Sequence, residues 1–102
     1  GDYRGAAIHM LNLGNAYREA KNYNSALSYI NEGLNRIKRV GDKYMEAAGY
    51  ENLGWYYIDT GNIKAAKEYL TKAYKLFSSI GANADAHDVL SSLQALNNQK
   101  TK

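Results

Sequence analysis

Asn12-Leu13-Gly14-Asn15-Ala16-Tyr17 returns forty residues later as Asn52-Leu53-Gly54-Trp55-Tyr56-Tyr57, and this recurrence decides the fold. The match extends outward on both sides: Gly1-Asp2 and Ala7 recur as Gly41-Asp42 and Ala47, and Asn22, Ala26 and Tyr29 recur as Asn62, Ala66 and Tyr69. A unit of this size cannot bury its apolar face alone, so two copies predict a stacked array in which neighbours complete each other's core. Such arrays use an extended surface more often than a pocket, which directs the question of function towards partners.

Within the first unit Tyr3, Ala7, Met10, Gly14 and Tyr17 fall at spacings of three and four, one face of a helix from Tyr3 to about Ala20, widened by Leu13 and Ala20. Asp2 is placed to cap its start, and Asn22 to cap the next helix, where Tyr23, Ala26, Leu27, Ile30, Leu34, Ile37 and Val40 repeat the period before Gly41. Asp42 opens a third helix to about Thr60, and Gly61-Asn62 turns the chain into a fourth that runs to Ile80 and Gly81. Ala86, Val89, Leu90, Leu93 and Leu96 then mark a fifth amphipathic segment before a polar ending. Hairpin dipeptides and alternating runs are missing, and there is no Pro to break a helix. Gly14 and Gly54 stand in helix interiors, where each costs about 1 kcal/mol against Ala, so their recurrence predicts close helix packing.

The expected architecture is all-α: a solenoid of antiparallel helix hairpins. Its units are residues 1–40 and 41–80, with a capping helix or truncated third unit at 81–97 and a disordered tail at 98–102, all one domain. Gly1-Asp2 aligns with Gly41-Asp42 and no initiator Met is present, so the sequence is expected to start at a repeat boundary inside a longer protein.

At 102 residues, with 45% apolar content, the chain can bury a core. Ten Tyr against one Phe and one Trp suit a thin array with many border positions, where a ring packs while its hydroxyl stays wet. There is no Cys, which excludes disulfides and thiolate metal sites and favours the cytosol. No run is long and apolar enough to span a membrane, and no signal peptide is evident.

With Ala7 as the first position, the units read Met10, Leu13-Gly14, Tyr17, Ala26, Ile30, Gly33 and Tyr50, Leu53-Gly54, Tyr57, Ala66, Leu70, Ala73. This linked spacing resembles the tetratricopeptide repeat (TPR) family over about four fifths of the chain. It departs in its period, forty rather than about thirty-four residues, and in lacking the usual terminal proline, in whose place Gly41 and Gly81 end longer helices. The fifth segment resembles the first helix of a third repeat through Leu90 and Leu93, with Gln94 and Asn97 where Gly and Tyr are expected.

On helix one, Ile8, Leu11, Asn15, Arg18 and Glu19 lie roughly a third of a turn from the core stripe. The matching set on helix three is Ala48, Glu51, Trp55, Ile58 and Asp59. The resemblance implies that these positions line a concave groove that binds a peptide or helix. Its candidate contacts are Ile8, Leu11, Asn15, Arg18, Glu19, Glu51, Trp55, Ile58 and Asp59. Trp55 leads them, because Trp is enriched among residues that dominate interfaces. The alternatives are packing of Trp55 on the fifth helix, and contact of Ile8 or Leu11 with an upstream repeat. Some TPR domains hold a carboxylate terminus with Lys, Asn and Arg at two groove positions per repeat. Here those positions are Leu11, Asn15, Glu51, Trp55, Ser91 and Ala95, and only Asn15 fits.

Charge divides by helix type. Residues 21–40 and 61–80 each carry +3 and residues 41–60 carry −3, so the second helices should form a basic convex side and the groove should suit a partly apolar or basic peptide. Nucleic-acid binding is the minor alternative: the whole chain carries only +3 and no recognition motif appears. His9 and His87 have no metal-ligating partner at helical spacing, and no phosphate loop or nucleophile elbow occurs, so no enzyme, metal or cofactor is expected. The stronger rival to peptide binding is a homodimer formed through exposed repeat ends, with Tyr3, Ile8 and Leu11 at one and Val89, Leu90 and Leu93 at the other.

Overall fold

Three side chains tie the turns to the helices that follow them. Asn22, Asp42 and Asn62 each accept a hydrogen bond from the backbone N–H three residues on, at Ser25, Met45 and Ala65, satisfying a donor that a helix start leaves free. The computed structural model describes residues 3–99, and the expected cap Asp2 lies outside them. The helices are α1 (Tyr3–Glu19), α2 (Tyr23–Val40), α3 (Lys43–Asp59), α4 (Ile63–Ser79) and α5 (Asn83–Gln99). No strand occurs among the described residues. Helix α5 continues past the expected end at 97, so residues 98 and 99 belong to its last turn, and 100–102 lie outside the described residues.

Each turn requires one residue in the left-handed region. Gly61 supplies it at φ 86°, and at the equivalent position of the first unit Lys21 adopts φ 65°. A side chain there meets Cβ–carbonyl crowding that Gly avoids.

Successive helices pack in order, and α1 also touches α3. This zigzag forms two layers, α1, α3 and α5 against α2 and α4. Within a layer only α1 and α3 approach this closely, and the layer of α1, α3 and α5 is taken as the inner one. Two clusters of buried residues fill the space between. One joins Ala7, Leu11, Ile30, Leu34 and Ile37 to Leu53 and Tyr56; the other joins Ala66, Leu70 and Phe77 to Val89 and Leu96. Tyr17 stacks on Tyr29 at 5.4 Å between ring centroids, and Tyr57 on Tyr69 at 5.7 Å, the same border contact in both units.

The two recurrent helix-interior glycines are contact points. A Cβ on Gly14 would stand 2.5 Å from Ile30 Cγ1, and one on Gly54 would stand 2.5 Å from Leu70 Cδ2. Both distances are far inside van der Waals contact, so the local helix cost of Gly is offset by hairpin packing.

Leu11 corrects the expected stripe. It is 1% exposed and fills the space over Gly33, where a Cβ would come within 3.0 Å of its Cγ. Because Gly33 presents no side chain, α1 settles close to α2 and draws Leu11 inside, while Met10 stays half-buried. In the second unit Ala73 takes the place of Gly33 and half-buried Glu51 the place of Leu11.

Helix α5 buries Ala86, Val89 and Leu96. Its positions equivalent to Ala7, Leu11 and Gly14 are His87, Ser91 and Gln94, all exposed. Of the faces expected to be adhesive, Leu11 and Val89 are buried and unavailable.

Candidate peptide-binding cleft

The last turns of α1 and α3 run side by side on the inner layer, and between them lies an open cleft of about 390 Å³ lined by Asn15, Arg18, Glu19, Trp55, Ile58 and Asp59. Six of the nine candidate groove residues therefore meet in one place. Of the other three, Leu11 is core, Ile8 packs against the first buried cluster, and Glu51 stands outside the cleft lining, one turn before Trp55.

Arg18 organises the cleft. Its Nη1 donates to Asp59 Oδ2 at 2.7 Å, and its Nε and Nη2 both donate to Asn15 Oδ1, at 3.1 and 2.9 Å. The guanidinium carbon also lies 5.5 Å from the centroid of the Trp55 ring, within range of a cation–π interaction. These three bonds use three of the five N–H donors of the guanidinium and fix its plane. Asn15 lies three residues before Arg18 on the same helix, so their contact follows from helical spacing. Asp59 is 41 residues away, and only the lateral approach of α1 to α3 brings it into reach.

Trp55 is half-buried and packs against neither cluster of buried residues. One face carries the Arg18 guanidinium, and the indole lines the cleft. Ile58 completes the apolar wall while also packing against the second cluster. Glu19 is exposed on the rim.

Glu51 has a different environment. Withdrawal from water, followed by the facing carboxylates of Asp85 and Asp88 on α5, pushes its carboxyl up to about 7. On the same side of the molecule the Tyr44 hydroxyl donates to Asp85 at 3.1 Å, which raises the Tyr44 phenol and links α3 to α5. At the far ends of α1 and α3, Arg4 pairs with Asp42, and that carboxyl is lowered by the Met45 N–H first and by Arg4 further on. Two Arg–Asp pairs thus tie α1 to α3 across the unit boundary, at residues 4–42 and 18–59.

No group of three or more His, Asp or Glu side chains among the described residues is disposed to hold a metal ion, and no helix among them is long and apolar enough to cross a membrane. Of the carboxylate-clamp positions, Glu51 places an acid where a cation is expected, while Asn15, its Oδ1 accepting from Arg18, is the one position whose amide Nδ2 suits a carboxylate.

A two-layer stack of antiparallel hairpins with an open cleft on its inner layer defines a helical-repeat protein. The tetratricopeptide repeat model matches residues 5–79, and the chain belongs to that family. Its repeats are generally protein–protein interaction modules. No curated protein matches the chain.

Proposed function

We propose that the chain is an interaction scaffold that takes a peptide or helix along its inner layer and performs no chemistry of its own. The observation that carries this reading is the Trp55 cleft: an aromatic ring outside both buried clusters, with the Arg18 guanidinium over it and Ile58 beside it in the same open cleft. A few residues, with Trp, Tyr and Arg enriched among them, supply most of the affinity at protein interfaces. Asn15, Arg18, Glu19, Trp55, Ile58 and Asp59 are the contact residues. The polar outer face of α5 supports its reading as a cap, since His87, Ser91 and Gln94 cannot receive a helix as Ala7, Leu11 and Gly14 do. Truncating Trp55 to Ala while helix content is retained should reduce partner affinity at least about tenfold, the effect of a single interface anchor; unchanged affinity would remove the cleft from the binding surface.

The second reading, self-association, has one observation in its favour. Met10 and Leu13 on α1 are half-buried and belong to neither cluster, whereas the equivalent Leu53 on α3 is inside the core. Light scattering after size exclusion separates the readings, because a dimer that dissociates on Leu13→Ser would place the interface at that end.

A further inference from the structure

Among the described residues, every Lys and Arg of the inner layer is already paired. Arg4 is paired with Asp42, Arg18 with Asp59 and Lys43 with Glu46. Among the described residues no Lys or Arg pairs with Glu19, Glu51, Asp85 or Asp88. Counted by helix, α1, α3 and α5 sum to −3 and α2 and α4 to +5. The layers are about 8–10 Å apart between helix axes and the screening length at physiological salt is about 8 Å. A molecule seated on the inner layer is therefore exposed mainly to its acidic charge. The apolar wall of Trp55 and Ile58 opens beside Glu19, and Glu51 stands one turn back along α3, facing the α5 carboxylates.

From this juxtaposition we infer that the occupant of the cleft is a cationic, partly aliphatic segment: an apolar side chain against Trp55 and Ile58, with Lys or Arg side chains running over Glu19 and towards Glu51 and Asp88. The inference rests on the groove reading above and narrows it to one partner chemistry. An acidic segment would meet four carboxylates that no Lys or Arg among the described residues pairs with, and Arg18, the one cation of the cleft, is already engaged by Asp59. A neutral one would leave the half-buried Glu51 without a counter-charge. A cation instead supplies what Glu51 and Asp88 lack, and such charge matching sets specificity and association rate more than total affinity.

Trp55 is the only Trp in the chain, so its emission reports occupancy of the cleft directly. The probes are a synthetic amphipathic peptide of Leu and Lys and two counterparts in which every Lys is Gln or Glu. Trp55 emission is titrated at low and high salt, with size exclusion and helix content recorded in parallel. The Lys peptide should bind at least about tenfold more tightly than the Gln peptide at low salt, with the advantage shrinking at high salt. The double variant Glu51→Gln, Asp88→Asn should cut that advantage to within about threefold and leave affinity for the Gln peptide unchanged, because neither residue lines the cleft. Equal or tighter binding of the Gln or Glu peptide would overturn the cationic occupant and leave the groove reading standing. If no peptide alters the emission of the folded protein, the groove reading itself falls and this inference with it. Two further results would also overturn the inference: binding of the Lys peptide detected by calorimetry without any change at Trp55, and an emission change that tracks dimerisation instead of peptide.

Discussion

Arg18 and Asp59 meet at 2.7 Å across the boundary between the two repeat units, and the same guanidinium lies over Trp55. One side chain thus sets both the lateral spacing of α1 and α3 and the orientation of the ring that opens to the cleft. Arg18→Ala should lower stability by about 1 kcal/mol, the sum expected of a partly exposed ion pair and a surface cation–π contact. A double-mutant cycle with Asp59→Asn checks the ion-pair share by urea denaturation, where the coupling should be about 0.5 kcal/mol and shrink with salt. The Trp55 emission of the Ala variant should move towards that of a more hydrated indole.

Lys21 and Gly61 occupy the same turn position, one with a side chain and one without, at φ 65° and 86°. Lys21→Gly should raise the urea midpoint, by about 0.5–1 kcal/mol in stability, because relief of the left-handed crowding exceeds the added chain entropy of Gly. The reverse change, Gly61→Lys, should cost about 1–2 kcal/mol. Equal effects at both positions would show that the neighbouring turn geometry, not Cβ, decides.

Gly14→Ala tests whether close approach outweighs helix propensity. Propensity alone favours Ala by about 1 kcal/mol, but the new methyl would stand 2.5 Å from Ile30 Cγ1 and 3.0 Å from the Ile30 backbone N. The side chain can rotate away and the backbone cannot. A net loss of about 1–3 kcal/mol, the usual cost of overpacking, should appear in chemical denaturation, with a smaller loss for Gly54→Ala, where only the Leu70 side chain stands close. A gain in stability would mean that the hairpins are loose enough to admit the methyl without strain.

Stability should fall between mildly acidic and mildly alkaline pH because of Glu51. Its carboxyl lies at about 7 in the folded chain against 4.5 when unfolded, so the folded state holds the proton more firmly. The contribution is therefore complete below pH 4.5 and is lost as pH rises through about 7. With allowance for the part of Glu51 that remains in water, the loss is about 1–2 kcal/mol. Glu51→Gln should remove it, making the variant the more stable protein at pH 8 and nearly equal to the parent at pH 4. Asp42 acts in the opposite sense, supporting the fold above its unfolded value of 3.8 and withdrawing that support in acid.

Helix positions were legible in the sequence because their signals are local. The predicted ends at Ala20, Thr60 and Ile80 each fall one residue past the observed Glu19, Asp59 and Ser79, and α2 ends at Val40 as expected. The groove set was partly legible for the same reason: repeat register alone places Asn15, Arg18 and Glu19 opposite Trp55, Ile58 and Asp59. What escaped the sequence lies between helices. The stripe on α1 cannot reveal that Gly33 leaves room for Leu11, nor that α1 and α3 approach closely enough for Arg18 to reach Asp59. The three carboxylates at Glu51, Asp85 and Asp88 come from two helices, and their mutual effect exists only after α5 docks.

The presence of Glu51 and Ala73 at the positions equivalent to the Leu11–Gly33 contact bears on how a chain of near-duplicates avoids pairing the wrong halves. If α1 docked on α4, Leu11 would meet the methyl of Ala73 where it now meets no side chain; if α3 docked on α2, a carboxylate would stand over the gap at Gly33. Either mistake either crowds a buried leucine or withdraws an unpaired acid from water, and both are penalised more than the matched pairs. Near-identical neighbours are prone to misassembly and strand or domain exchange during folding. A single swapped contact inside an otherwise repeated framework thus gives each helix an address, and lets two similar hairpins fold side by side without trading partners.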